Sequence, residues 1–463
     1  MNNARTVGEL RQSGYQPKSV KQELRDNLIA RLRSGEALFP GIVGYEESVL
    51  PQIENAILSG QDIVFLGERG QAKTRMARLL IGLLDAEMPA MAGCEINDNP
   101  FAPICQACRE RIAERGDKAE VAWVPRDRRY GEKLATPDIT IADLIGEVDP
   151  IKVAEGRYLG DELTIHYGLV PRTNRGIFAL NELPDLAERI QVGLLNIMEE
   201  RDVQIRGYKV RLPIDVYVVA SANPEDYTNR GRIITPLKDR FGSQIRTHYP
   251  RRLDDEIAIM EAELTKFPAG GFQYVSAPYM QQIVAEVTHL ARKAPEISQR
   301  SGVSVRVSIC NWENLLSNAL KRAIRLDERE VAPRVSDLGA IVSSTSGKIE
   351  LETLGDSGED KVLGKLVQKA VLNVFNRSFA SSELDPVVAA FQDGFGIDVA
   401  DSMPSKEYVR QIAEVRPLHA AVKKLGASDP AGTAAALEFV LEGLHLSRKL
   451  NKDTKAGRYR YRS

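Results

Sequence analysis

Hydrophobic and polar positions change their spacing several times along the chain. Residues 1–40 are polar with helix-like spacing and end at Phe39, Pro40 and Gly41, where a new pattern begins. From Gly41 to Pro250 short β-rich apolar runs alternate with helical stretches. Residues 62–66, 176–180 and 215–220 read as buried strands, and 74–84 and 186–200 as helices. Such alternation predicts an α/β fold, a parallel sheet covered by helices. The most apolar window, 77–93, is broken by Asp85 and Glu87 and reads as a core helix running into a loop. From Leu253 to Val342 the pattern is almost wholly helical, which suits a separate lid. The runs SSTSG (343–347) and LGDSGE (354–359) bracket a linker. Beyond it, 362–375, 407–425 and 430–446 are amphipathic helices, the last with Asp429 as N-cap and Pro430 at its first position. The organisation expected is an N-terminal helical extension (1–40), an α/β domain (41–250), a helical lid (251–342), a linker (343–360), an all-α C-terminal domain (361–446) and a basic tail (447–463).

Composition narrows the class. The 463 residues carry 62 Lys+Arg against 64 Asp+Glu, a net charge of −2, which argues against wholesale coating of DNA. With 43% hydrophobic residues, 35 Gly, 23 Pro and only 4 Cys, the chain is not disordered, collagen-like or a disulfide scaffold. The opening MNNARTVGELRQ lacks the apolar core of a secretory signal, and no stretch reaches the roughly 18 apolar residues of a membrane span, so a cytoplasmic location is expected.

The chemistry is concentrated in IVFLGERGQAKTRMARLL, where Gly67, Glu68, Arg69, Gly70, Gln71, Ala72, Lys73 and Thr74 join an apolar strand to an apolar helix. This is P-loop spacing, with Ala72 where the pattern has its last glycine. Glycines let backbone N–H groups face a β-phosphate, the lysine reaches the β/γ oxygens, and the threonine hydroxyl reaches Mg2+. Downstream, GIFALNEL sets Asn181 and Glu182 at the end of an apolar strand. An acid there holds the Mg2+ water shell and the next polarises the attacking water; Asn181 keeps an oxygen ligand but loses the charge, and Glu182 remains available as base. Asn223, ending VYVVASANPED, is placed to orient water from a neighbouring strand tip. Arg240, in ITPLKDRFG, cannot easily reach its own nucleotide but could act on a neighbouring subunit's γ-phosphate; the alternative is a surface ion pair with Asp239. Arg306, in GVSVRVSI, opens a lid helix and could sense the γ-phosphate, a role Arg300 could also fill.

Together FPGIVGYEE, GERGQAKT, GIFALNE, SANPED, LKDRFG and GVSVR resemble the AAA+ ATPases of the magnesium chelatase I-subunit and MoxR group, over residues 39–342. The resemblance implies a P-loop AAA+ sheet with β-hairpin insertions, ATP and Mg2+ as cofactors, Thr74 and Asn181 at the metal, Glu182 as base, Asn223 and Arg306 as sensors, Arg240 as a finger acting in trans, and Val43 and Gly44 beside the adenine. It also implies a ring homo-oligomer, a hexamer, acting on a partner with a von Willebrand factor A domain. Two segments fit its hairpins: 136–176, with turn signals at Gly156 and Gly160, and VQIRGYKVRLP around Gly207.

Other signals are weaker. Cys94, Cys105 and Cys108 have a zinc-like spacing but lack a fourth Cys or His nearby, so Zn2+ competes with free thiols in a surface loop. The final SRKLNKDTKAGRYRYRS interleaves cations with Tyr459 and Tyr461. That could grip nucleic acid, but a solvated, mobile tail is the more ordinary state. The leading expectation is an ATP-driven ring motor that remodels or metal-loads a protein partner. The alternatives are the ATPase subunit of a true magnesium chelatase, a nucleic-acid motor or sigma-54-type activator, against which no GAFTGA-like loop is found, and a non-hydrolysing nucleotide-binding scaffold.

Overall fold

Five short runs form parallel strands, β1 (Ile63–Leu66), β2 (Tyr130–Leu134), β3 (Gly176–Asn181), β4 (Val216–Ala222) and β5 (Ser243–Arg246), of which β1, β3 and β4 are apolar. The sheet order is β5–β1–β4–β3–β2, and every neighbouring pair is parallel. The strands β3 and β4 are buried at every position, as expected of central strands covered on both faces. The edge strands β2 (YGEKL) and β5 (SQIR) are short and polar, so they leave no apolar run. This is an α/β fold, a parallel five-stranded sheet with flanking helices. It is seen in a computed structural model that describes the chain except for residues 1–3, 150, 152–153, 155–161, 205–210, 224–230, 269, 300–301, 353–357, 381 and 456–457.

The chain divides into two units, Met1–His248 and Tyr249–Ser463. In the first, the helix after β1 covers Lys73–Leu79 and continues as a 3-10 turn, Leu80–Leu83. The expected loop then proves to be a strand, Glu87–Met91, paired antiparallel with Val121–Pro125, with Met88, Ala90 and Met91 buried. The N-terminal helix Val20–Ser34 is anchored by a buried bidentate pair: Arg129 Nη1 and Nη2 donate to the Glu23 carboxylate at 2.7 and 2.6 Å. Both expected hairpins have paired bases, Gly146–Val148 with Ile165–Tyr167 and Asp202–Gln204 with Arg211–Pro213. Their expected turns at Gly156, Gly160 and Gly207 lie outside the described residues.

The second unit is mainly helical. Leu253–Glu263, Pro278–Ala291 and Val305–Arg325 are followed by Glu359–Ser378 and by the nearly all-buried Pro430–Leu446, whose Phe439 stacks on Tyr279 at 4.7 Å. The serine-rich run at 343–347 is part helix, Val342–Thr345, with the Ser344 and Thr345 hydroxyls donating to Asn311 Oδ1 at 2.6 and 3.0 Å. The basic terminus departs from the mobile tail expected of it. Asn451–Lys455 and Arg458–Arg462 form a hairpin whose second strand pairs with Ile397–Ala400, so this helical region also carries a three-stranded antiparallel sheet. Alternation explains it: Tyr461 turns inward and its hydroxyl donates to Glu442, which also accepts from Lys452 Nζ at 2.7 Å, while the arginines between face out. No helix among the described residues is long and apolar enough to cross a membrane.

Candidate nucleotide site

Because β1 is flanked by β4 on one side and β5 on the other, the loop leaving it opens at the carboxyl ends of the strands, where α/β sheets bind ligands. Gly67 must be glycine, since a Cβ there would overlap the Thr247 hydroxyl and the Gln71 amide, which bond to each other at 2.6 Å. Gly70 is left-handed at φ 75°, and so is Ala72 at φ 56°, ψ 15°. The loop therefore closes with P-loop handedness although alanine replaces glycine, at a cost of about 1 kcal/mol. Lys73 is buried, with Nζ donating to the carbonyls of Gly67 and Glu68, the latter at 2.8 Å. Arg69 is exposed at the loop's outer edge.

The two expected metal ligands meet: the Thr74 hydroxyl donates to Asn181 Oδ1 at 3.4 Å. Ser221, on β4, donates to the same oxygen at 3.2 Å and accepts the Glu182 backbone N–H at 3.3 Å. Glu182 sits in the left-handed region at φ 54°, ψ 49°, unusual for its residue type and a form of strain that clusters at active sites. Asn223 follows β4 and is buried.

A neighbouring carboxylate escaped the sequence reading. Asn181 Nδ2 donates to Glu132 Oε1 at 2.8 Å, and Glu132 is gripped from its other side by Arg78 Nε and Nη2 at 2.7 and 2.8 Å. The arginine hydrogen bonds hold the Glu132 carboxyl below its usual range, against the opposing effect of burial. The charge absent at Asn181 thus stands one strand away. Only the polar edge strand carries Glu132, and nothing local in YGEKL marks it.

Around this centre, Tyr45 ties the segment containing Val43 and Gly44 to the loop: its hydroxyl donates to Gln71 O at 3.1 Å and His248 O at 2.7 Å. Burial pushes that phenol up to about 12. Arg240 closes the helix Thr235–Arg240; its ion pair is with Glu199 of a separate helix, not with Asp239 next to it. Its Nη1 donates to Pro236 O at 2.8 Å, and its Nε is buried without a hydrogen-bond partner. Arg306 is exposed in the first turn of Val305–Arg325, in the second unit, and Arg300 lies outside the described residues. Cys94, Cys105 and Cys108 come together away from the P-loop, joined by Asp98.

Comparison with known proteins adds a family signal on part of the chain. The family model described as the Sigma-54 interaction domain matches residues 152–240. The chain is 25% identical over 177 residues to the acetoin dehydrogenase operon transcriptional activator AcoR of Bacillus subtilis, covering 37% of this chain and 28% of that one. It is 28% identical over 156 residues to the sigma54-dependent transcriptional activator SfnR of Pseudomonas putida, covering 30% of this chain and 42% of that one. The match therefore spans less than half the length of either curated relative. Among solved structures, a complex between subunits BchI and BchD of magnesium chelatase aligns over 72% of this chain and 94% of that one, at 19% identity and a TM-score of 0.36.

Proposed function

We propose that the chain is an ATP-hydrolysing motor of the magnesium chelatase/MoxR type, working as a ring of identical subunits to remodel or metal-load a protein partner. The observation that carries this reading is the closed P-loop with Lys73, Thr74 and Asn181 gathered beside it. The loop amides of residues 67–72 and Lys73 would hold the phosphates, Val43 and Gly44 would flank the adenine, and Thr74 and Asn181 would hold Mg2+. The ion's contribution when bound would be to neutralise phosphate charge, with Glu132 restoring the negative charge that Asn181 lacks. Glu182 would take the proton of the attacking water and Asn223 would orient that water. Arg240 would leave Glu199 for the γ-phosphate of an adjacent subunit, and Arg306 would report hydrolysis to the second unit. This chemistry makes assembly a requirement for turnover. A client with a von Willebrand factor A domain is the partner the motif resemblance favours.

The family match over residues 152–240 favours a second reading, a sigma-54-type activator. Against it, the insert between Gly146 and Tyr167 contains no GAFTGA-like run. Steady-state ATP hydrolysis across a protein concentration series tests the motor: the rate per subunit should rise with concentration. Nucleotide binding with no turnover at any concentration would instead make this a nucleotide-gated scaffold. Co-purification with sigma-54 and open-complex formation at a sigma-54 promoter would establish the second reading in place of the first.

A further inference from the structure

Between the paired strands Glu87–Met91 and Val121–Pro125 lies an insertion, residues 92–120, that the nucleotide chemistry does not use. The apolar core it shares with the N-terminal helix Val7–Gln12 and the flanking strands is small: Val7, Leu10, Met91, Ile96, Ala119 and Val121 beside Cys105 and Cys108, with Phe101 and Trp123 half-buried against it. Segments shorter than about 40 residues rarely hold a fold by burial alone and recruit disulfides or metals. Cys94, Cys105 and Cys108 are free thiols, and three sulfurs cannot all be satisfied by disulfides among themselves.

We propose that Cys94, Asp98, Cys105 and Cys108 are the four ligands of a structural Zn2+ site that staples this insertion. Their ligand atoms all lie within 4.8 Å of one another. Zinc–sulfur bonds of 2.3 Å in a tetrahedron put ligands about 3.8 Å apart, so closing around an ion needs a contraction of an ångström or less. Asp98 is the independent witness. It is completely buried, its Oδ2 accepts the Cys105 N–H at 3.0 Å, and its Oδ1 has no hydrogen-bond partner. A buried carboxylate oxygen left in that state calls for a cation.

The surroundings favour thiolates. The Asp98 N–H donates to Cys94 Sγ at 3.5 Å and the Cys108 N–H to Cys105 Sγ at 3.4 Å, outer contacts that orient and stabilise metal-bound sulfur. Cys105 caps the ten-residue helix Gln106–Arg115 and Cys108 lies in its first turn, where the helix dipole stabilises negative charge. Three soft sulfurs with one carboxylate, closed and mostly buried, suit zinc in a structural rather than a catalytic role, since no position is left for substrate. The acid also explains why cysteine spacing alone left the set one ligand short.

The test is metal analysis of the full-length chain purified without chelator, together with titration of the metal-stripped protein with Co2+. One zinc per chain is expected, along with a thiolate-to-cobalt charge-transfer band and the d–d bands of a tetrahedral ion. Cys105→Ser should abolish both. Because that variant could also unfold the insertion, Asp98→Asn provides the decisive comparison: it keeps the shape, and it should weaken Co2+ binding at least about tenfold and shift the d–d bands. A folded chain that takes up neither metal would overturn the assignment, as would bound iron with visible sulfide-cluster absorption or an Asp98→Asn spectrum identical to the wild type.

Discussion

The P-loop surroundings and the cysteine insertion belong to the same unit and hold their polar groups in place by opposite means. At the nucleotide site, Thr74, Asn181, Ser221 and Glu132 are fixed because the strands beneath them are buried, and the large apolar core does the positioning. In the insertion the order is reversed: the core is slight, and four converging ligand groups would have to supply the rigidity themselves. Where a sheet supplies rigidity, residues can be exchanged at modest cost, as Ala72 and Asn181 illustrate. Where the ligands supply it, each is indispensable.

Substitutions can break or sharpen that contrast. The largest effects belong to the groups proposed to drive turnover, one at the end of the helix Thr235–Arg240 and one just past β3: Arg240→Ala should lower turnover by about 10³-fold and Glu182→Gln by about 10²–10⁴-fold, with nucleotide affinity retained in equilibrium binding. Next is the buried Glu23–Arg129 pair. Glu23→Ala leaves an uncompensated guanidinium with zero exposure and should cost about 3–5 kcal/mol in denaturant unfolding. A loss below 1 kcal/mol would mean that the N-terminal helix does not hold the sheet. Asn181→Asp would set a second carboxylate 2.8 Å from Glu132. Like charges that close raise the pKa of one of them, so the acid limb of the pH–rate profile should move upward by about one unit. An unmoved limb would show that Glu132 does not supply the charge missing at Asn181. The smallest effect is at Ala72: replacing it with Gly relieves the left-handed alanine and should raise stability by about 0.5–1 kcal/mol, partly offset by a freer unfolded chain.

The sequence reading reached those parts of the site that lie close together along the chain. The strand before Gly67, the helix after it and the apolar runs ending at Asn181 and Ala222 announce themselves because buried parallel strands are continuously hydrophobic. Glu132, Ser221 and Arg78 are not legible, since what matters about them is contact between strands, and between a strand and a helix, that lie far apart in sequence. Asp98 is illegible for a related reason: cysteines advertise a metal site and a lone aspartate does not, until its burial leaves one carboxylate oxygen without a hydrogen-bond partner. The terminal RYRYR illustrates the limit of composition, which marks a charged tail, whereas its alternation marks a strand.

A nucleotide site completed by Arg240 from a neighbouring subunit, as proposed, is tested directly by mixing two inactive variants. Glu182→Gln chains keep Arg240 and Arg240→Ala chains keep Glu182. If the site is shared, a mixture at concentrations that allow assembly should regain ATP hydrolysis that neither variant shows alone, because some interfaces then hold both wild-type residues. Mixtures as silent as their components, with assembly verified by light scattering, would contradict it.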